Sequence, residues 1–156
     1  MADYYTNFSL ALRLPDAAAQ TYALNLAEQA GQSQFENEVP ADFPAELLDH
    51  LEDWLFEVVA QTVDEHPGLW LHSQNGGVDP VCALLQHLLQ KFDPAGVVTF
   101  EWSHDCSKPR VDAYGGGAAV VTTRKIKTLS TSQWLQQQTA ALARPRKPAR
   151  SSRNAP

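Results

Sequence analysis

Basic residues are almost missing from the first hundred positions, where Arg13 and Lys91 stand against fifteen carboxylates. Between Phe35 and His66 there are ten carboxylates and no Lys or Arg. Such a body repels the phosphate backbone, so duplex DNA is excluded as a partner of it. Cysteine is scarce too: Cys82 and Cys106 do not make a disulfide framework, which predicts a reducing, cytoplasmic setting. No apolar run approaches the roughly 20 residues a membrane helix needs, so no membrane association is expected. The opening Met1-Ala2-Asp3-Tyr4 has neither a basic flank nor an apolar stretch, and no secretory leader is expected.

What is present suits one domain. The 156 residues, 44% of them apolar and four of them Trp, can close a core without metal or disulfide. The last thirteen residues differ from the rest in carrying five basic side chains among Pro and Ser. They cannot bury a core, so the chain divides into a domain over 1–143 and a disordered basic tail over 144–156. The tail could touch nucleic acid or an acidic surface.

Periodicity orders the elements. From Tyr4 to Leu14 the apolar residues Phe8, Leu10, Leu12 and Leu14 recur at every second position, as in a half-buried strand. Pro15 and Asp16 open a helix over Ala17 to Ala30, with Gly31 as its stop. Phe43, Leu47, Leu48, Leu51, Trp54 and Leu55 make one apolar stripe of an inserted acidic helix over 42–55. Phe56 to Val63 and Leu69 to Ser73 read as a hairpin around Asp64-Glu65-His66-Pro67-Gly68. Asp79-Pro80 supplies a cap and first turn for a helix through Phe92. Val97 to Ser103 is a strand, 104–116 a loop, and Gly117 to Leu129 a fifth strand. Ser130 with Gln133 makes a capping box for a last helix carrying Trp134, Leu135 and Leu142. Without the insertion this spells β-α-β-β-α-β plus an extra strand and helix: an α+β, ferredoxin-like antiparallel sheet with helices on one face.

Two segments, Gly68-Leu-Trp-Leu-His-Ser73 and Glu101 through the triple glycine to Ala118, resemble the YubB-type ferredoxin-like proteins of plasmids and phages. The likeness covers mainly residues 68–130. It implies the same fold and an origin on a mobile genetic element, and it assigns no catalytic residue.

Reactive side chains are densest between positions 103 and 117: His104, Asp105, Cys106, Lys108, Arg110, Asp112 and Tyr114. Long loops carry function more often than regular elements do. His104 and Cys106 supply two metal ligands where zinc takes three or four, with His72 or Asp105 as the third to be found. Ordering of the loop by Asp and Arg110 contacts is the plainer reading, and no metal or cofactor is expected. Gly115-Gly116-Gly117 lacks a following Lys-Ser/Thr and leads into a strand, so it is not a phosphate loop but a turn or bulge needing positive φ. Cys82 reads as a packed thiol, and His87 as solvent-exposed.

The second candidate surface is the outer face of the acidic helix: Glu46, Asp49, Glu52 and Asp53. The expected function is a non-enzymatic interaction module of a mobile genetic element, offering this face or a sheet edge to a protein partner, a basic one if the carboxylates carry the contact. A nucleic-acid mimic that blocks a DNA-binding protein is the first alternative, and a small enzyme or metal site on loop 103–117 the second.

Overall fold

The structure, a computed structural model, describes residues 1–143 and Pro145. The basic tail expected over 144–156 therefore lies outside the described residues, Pro145 apart.

Six strands form one antiparallel sheet. They are β1 (Tyr4–Arg13), β2 (Glu57–Val63), β3 (His66–Ser73), β4 (Val98–Cys106), β5 (Gly115–Val121) and β6 (Ile126–Ser130). Three α-helices accompany them: α1 (Ala17–Glu36), α2 (Val78–Phe92) and α3 (Thr131–Ala143). The strand order is β2-β3-β1-β4-β5-β6. Its first four members, with α1 and α2, are the ferredoxin-like β-α-β-β-α-β unit, and β5 and β6 extend the sheet beyond β4. The alternation in β1 has the expected consequence. Phe8, Leu10 and Leu12 are buried beneath the helices, while Ser9, Ala11 and Arg13 face outward.

The registers carry that division across the sheet. Leu10 and Leu12 oppose Leu71 and Leu69 of β3, and all four are buried. Phe100 of β4 opposes Ala119 of β5 on the same face. Against them pack Ala23, Leu26 and Ala30 of α1, and Leu84, Leu85 and Leu88 of α2. α1 buries five residues, three of them Ala, which gives it a shallow seat, whereas α2 buries seven. Among the described residues, it is α1 and α2 that contribute to this core, and α3 buries no residue on either face.

Several boundaries differ from the sequence reading, each for a local reason. Gly31 does not end α1. The helix runs six residues further, to a left-handed cap at Asn37 (φ 56°) whose N–H bonds the Ser33 carbonyl. The acidic helix 42–55 does not form; one short 3-10 turn, Ala45–His50, is all that winds. Pro44 sits before it with no capping side chain. Four carboxylates in eight residues with no Lys or Arg between them oppose a longer helix by like-charge repulsion. The segment is held instead by burying Phe43, Leu47 and Trp54, while Leu48 and Leu55 of the expected stripe remain exposed.

The β2–β3 connection is shorter than expected. Asp64 and Glu65 both have positive φ (48° and 64°), the signature of a two-residue hairpin turn, so His66 and Pro67 join the strand. Asp79 does not cap α2, which starts two residues earlier than expected, at Val78 behind Gly77 at φ 89°. The expected strand 117–129 is two strands. Thr122 Oγ1 accepts from the N–H groups of Arg124 and Lys125 and folds the chain back into β6. In α3 the Ser130 hydroxyl meets Ser132 rather than a backbone N–H, and none of the helix's residues is buried. Trp134, Leu135 and Leu142 are thus outside the core.

Candidate binding site

β4 runs on through Cys106, so the loop expected over 103–117 shrinks to 107–114. His104, Asp105 and Cys106 are consequently strand residues with alternating faces. His104 opposes Thr6 and Cys106 opposes Tyr4, which puts both on the helix-bearing side. Asp105 opposes Tyr5, on the other side. His72 opposes Ser9 and shares that other side. The sheet itself separates His72 and Asp105 from His104 and Cys106. Among the described residues no three His, Cys, Asp or Glu side chains come together as a metal-holding group.

Each member of the loop set has a local role. His104 Nδ1 lies 2.9 Å from Thr6 Oγ1, and Asn7 Nδ2 donates to Asp105 Oδ2 at 3.4 Å. Arg110 bonds the Tyr4 hydroxyl at 3.4 Å and, through its N–H, the Lys108 carbonyl at 2.7 Å. Asp112 takes a left-handed backbone (φ 67°). Lys108 is exposed, and so is Tyr114. His104, Asp105, Asp112 and Tyr114 line a cavity of about 230 Å³ with Tyr4 and Tyr5, but Cys106, Lys108 and Arg110 do not. The triple glycine is also explained differently from expectation. Only Gly115 has positive φ (147°), whereas a Cβ at Gly116 would collide with the Trp102 carbonyl oxygen. Gly116 is needed for close strand approach, not for its φ.

Of the acidic set, Asp49 is exposed in the 3-10 turn and Glu52 and Asp53 are exposed just after it, while Glu46, about half exposed, joins a network that the sequence reading missed. His87 Nδ1 is 2.6 Å from Glu46 Oε1, and His87 Nε2 is 2.8 Å from the Tyr22 hydroxyl. His87, expected in solvent, has a side chain only 12% exposed. A hydrogen bond from its own backbone N–H, then the His87 contact, lowers the Glu46 pKa below its usual value. Burial, and then the charges of Glu46 and Asp42, raise that of Tyr22. The Tyr22 hydroxyl, the His87 imidazole and the Glu46 carboxylate thus form one hydrogen-bonded chain. Lys91 stands 4.6 Å above the Tyr22 ring. The chain of bonds ties α1, α2 and the 3-10 turn together. Tyr22 and His87 are 65 residues apart, and no local spacing announces their meeting.

The chain that follows this turn, Trp54 to Phe56, builds one wall of a cavity of about 830 Å³ between the C-terminal half of α1, the start of β2 and the end of β3. Trp54, Leu55, Phe56 and Phe35 provide apolar surface, and Glu28, Glu57 and His72 polar surface. Backbone in the wall is fixed by side chains: Gln34 donates to the Leu51 and Trp54 carbonyls, and Ser73 to the Leu55 carbonyl. His72 Nε2 stands 3.6 Å from Glu57 Oε2 on the adjacent strand. Its ring stacks on Trp70 with centroids 3.9 Å apart, and the Trp70 indole N–H donates to Ser9. The imidazole is thus held at the cavity edge by a carboxylate and an aromatic face. No Lys or Arg lines the cavity.

No family model matches this chain, and no curated protein matches it. A solved structure that does match is LarC2, the C-terminal domain, in apo form, of a cyclometallase involved in the synthesis of the NPN cofactor of lactate racemase. The two are 12% identical; the match covers 93% of this chain and 90% of that one, at a TM-score of 0.32. At that level the likeness carries no activity over. The expectation of a non-enzymatic interaction module is corrected at the element it rested on: the acidic helix 42–55, on which the mimic rested too, is absent, only Ala45–His50 winding as a 3-10 turn, and Glu46 is hydrogen-bonded to His87. No helix among the described residues is long and apolar enough to cross a membrane.

Proposed function

We propose that this domain binds a small organic cation with an apolar body in the cavity between α1, β2 and β3. The observation that carries the reading is the wall itself: aromatic and aliphatic surface from Trp54, Phe56, Leu55 and Phe35, two carboxylates, and no basic side chain. Ligand sites are concave, largely apolar and few, with a small number of polar groups fixing orientation. Glu28 and Glu57 favour an ammonium or amidinium group, and they repel phosphates and carboxylates. His72, tied to Glu57 at 3.6 Å, adds a hydrogen-bonding group at the same rim. Both cysteines are free, which suits the reducing cytoplasm in which we place the domain.

Calorimetric titration with phenethylamine and with 3-phenylpropionate, which share a ring and differ in the sign of the charge, tests the reading. The amine binds and the acid does not. Glu57→Gln weakens the amine by about fivefold, since one solvent-facing charge contributes up to about 1 kcal/mol. Equal binding of both compounds, or preference for the acid, refutes the proposal.

A further inference from the structure

Gly31 stands where folding gives no reason for a glycine. Of the eight glycines, Gly76, Gly77 and Gly115 sit at positive φ, which favours glycine. At four more, Gly68, Gly96, Gly116 and Gly117, a Cβ would run into neighbouring atoms. Neither reason applies to Gly31. It lies inside α1, which continues to Glu36, and a Cβ there would meet nothing within 4 Å. Glycine inside a helix is less stable than alanine, because the unfolded chain has more freedom to lose. The position gives up stability and gains no close packing within the fold.

What the missing side chain leaves is room. Gly31 lines the cavity between α1, β2 and β3, together with Glu28, Gln32 and Phe35 of the same helix. These stand three, four and seven residues after Glu28, so all four share one helix face. Glu28 and Phe35 flank the gap, about 10 Å apart along the axis at 1.5 Å per residue. At one end Glu28 offers a carboxylate, its Oε1 3.5 Å from the Gln32 amide nitrogen. At the other Phe35 offers a ring that is 88% exposed. Trp54, Leu55 and Phe56 also line the cavity. A ligand can approach helix backbone closely only where no Cβ stands, which is a recurring use of glycine.

We propose that Gly31 is the specificity-determining position of this cavity, leaving a notch in α1 where the apolar body of the ligand lies directly on helix backbone between Glu28 and Phe35. Resting on the reading of the cavity as a ligand site, the notch adds where the ligand's body goes and which residue limits its bulk.

Thermal melts and calorimetric titrations of the wild-type protein, Gly31→Ala and Gly31→Leu test this, with phenethylamine and its uncharged isostere 2-phenylethanol as probes. Without a probe, Gly31→Ala raises the melting midpoint by about 2–4 °C, and Gly31→Leu does not lower it, because no neighbour is displaced. Gly31→Leu weakens both compounds at least about tenfold, since its side chain fills the space of the bound ring. A lower midpoint in Gly31→Ala would make the glycine a folding residue and overturn the proposal. Unchanged affinity for both compounds in Gly31→Leu, or a wild-type protein that binds neither, overturns it as well. A wild-type protein that binds the alcohol as tightly as the amine, with both lost in Gly31→Leu, supports the notch and refutes only the preference for a cation.

Discussion

Replacing His87 by alanine removes the middle of the Tyr22–His87–Glu46 chain and should loosen the segment that walls the cavity. Two hydrogen bonds are lost, at 2.8 and 2.6 Å. A net contribution near 1 kcal/mol each is the usual size, but Glu46 is about half exposed and regains water, which discounts its share. The expected loss is therefore about 1–2 kcal/mol, and in a domain of this size the melting midpoint falls by roughly 3–6 °C. A double-mutant cycle with Glu46→Gln isolates the pair and should return a coupling of about 0.5–1 kcal/mol. The sign with pH is fixed by the lowered Glu46 pKa. A depressed carboxylate stabilises above its unfolded value and loses that contribution as pH falls through its folded one, so the coupling present at neutral pH should vanish in acid. Chemical denaturation of the four proteins at neutral and acidic pH measures all of this. A neutral His87→Ala, or a coupling unchanged in acid, would show that the contact carries no stability.

Further outcomes follow from other parts of the fold. Cys82 is 2% exposed, and burial with the nearby Asp79 charge pushes its thiol up to about 11, so a thiol reagent should label only Cys106 in the native protein and both cysteines in denaturant. Two rapidly labelled thiols in the native state would contradict the packing of α2. Gly116→Val should destabilise by about 2 kcal/mol or more, because its Cβ meets the Trp102 backbone rather than a movable side chain; a stability equal to wild type would refute the close-approach argument. Residues 1–143 hold eighteen carboxylates against seven basic residues, so a protein ending at Ala143 should not retard duplex DNA at moderate salt. Robust retardation there would overturn the acidic-body argument.

Much of the fold was legible because it rests on local pattern. Phe8, Leu10 and Leu12 alternate, and Val81 through Leu89 recur at helical spacing, so the ferredoxin-like order follows from periods of two and 3.6. The segment 42–55 misled because a helical apolar stripe is also satisfied by irregular chain that buries Phe43, Leu47 and Trp54 one at a time. There the carboxylates oppose the helix, and tertiary burial decides the backbone. At β5 and β6 the run 117–129 hides a turn made by one threonine hydroxyl, which no Gly or Pro announces. Reactive residue types drew attention to 103–117, yet His104 and Asp105 fall on opposite faces once β4 is extended. The residues that do converge, Glu57 with His72 and Tyr22 with His87, are joined by strand register and helix packing, which sequence distance conceals.

The central claim, a cation-selective cavity between α1, β2 and β3, is tested most directly by titrating phenethylamine into isotopically labelled protein and following amide and indole resonances. The account predicts saturable shifts at the Trp54 indole and at the amides of Glu28, Leu55, Glu57 and His72, with 3-phenylpropionate leaving them unmoved. Shifts confined to residues 104–114, or no shifts at all, would contradict it.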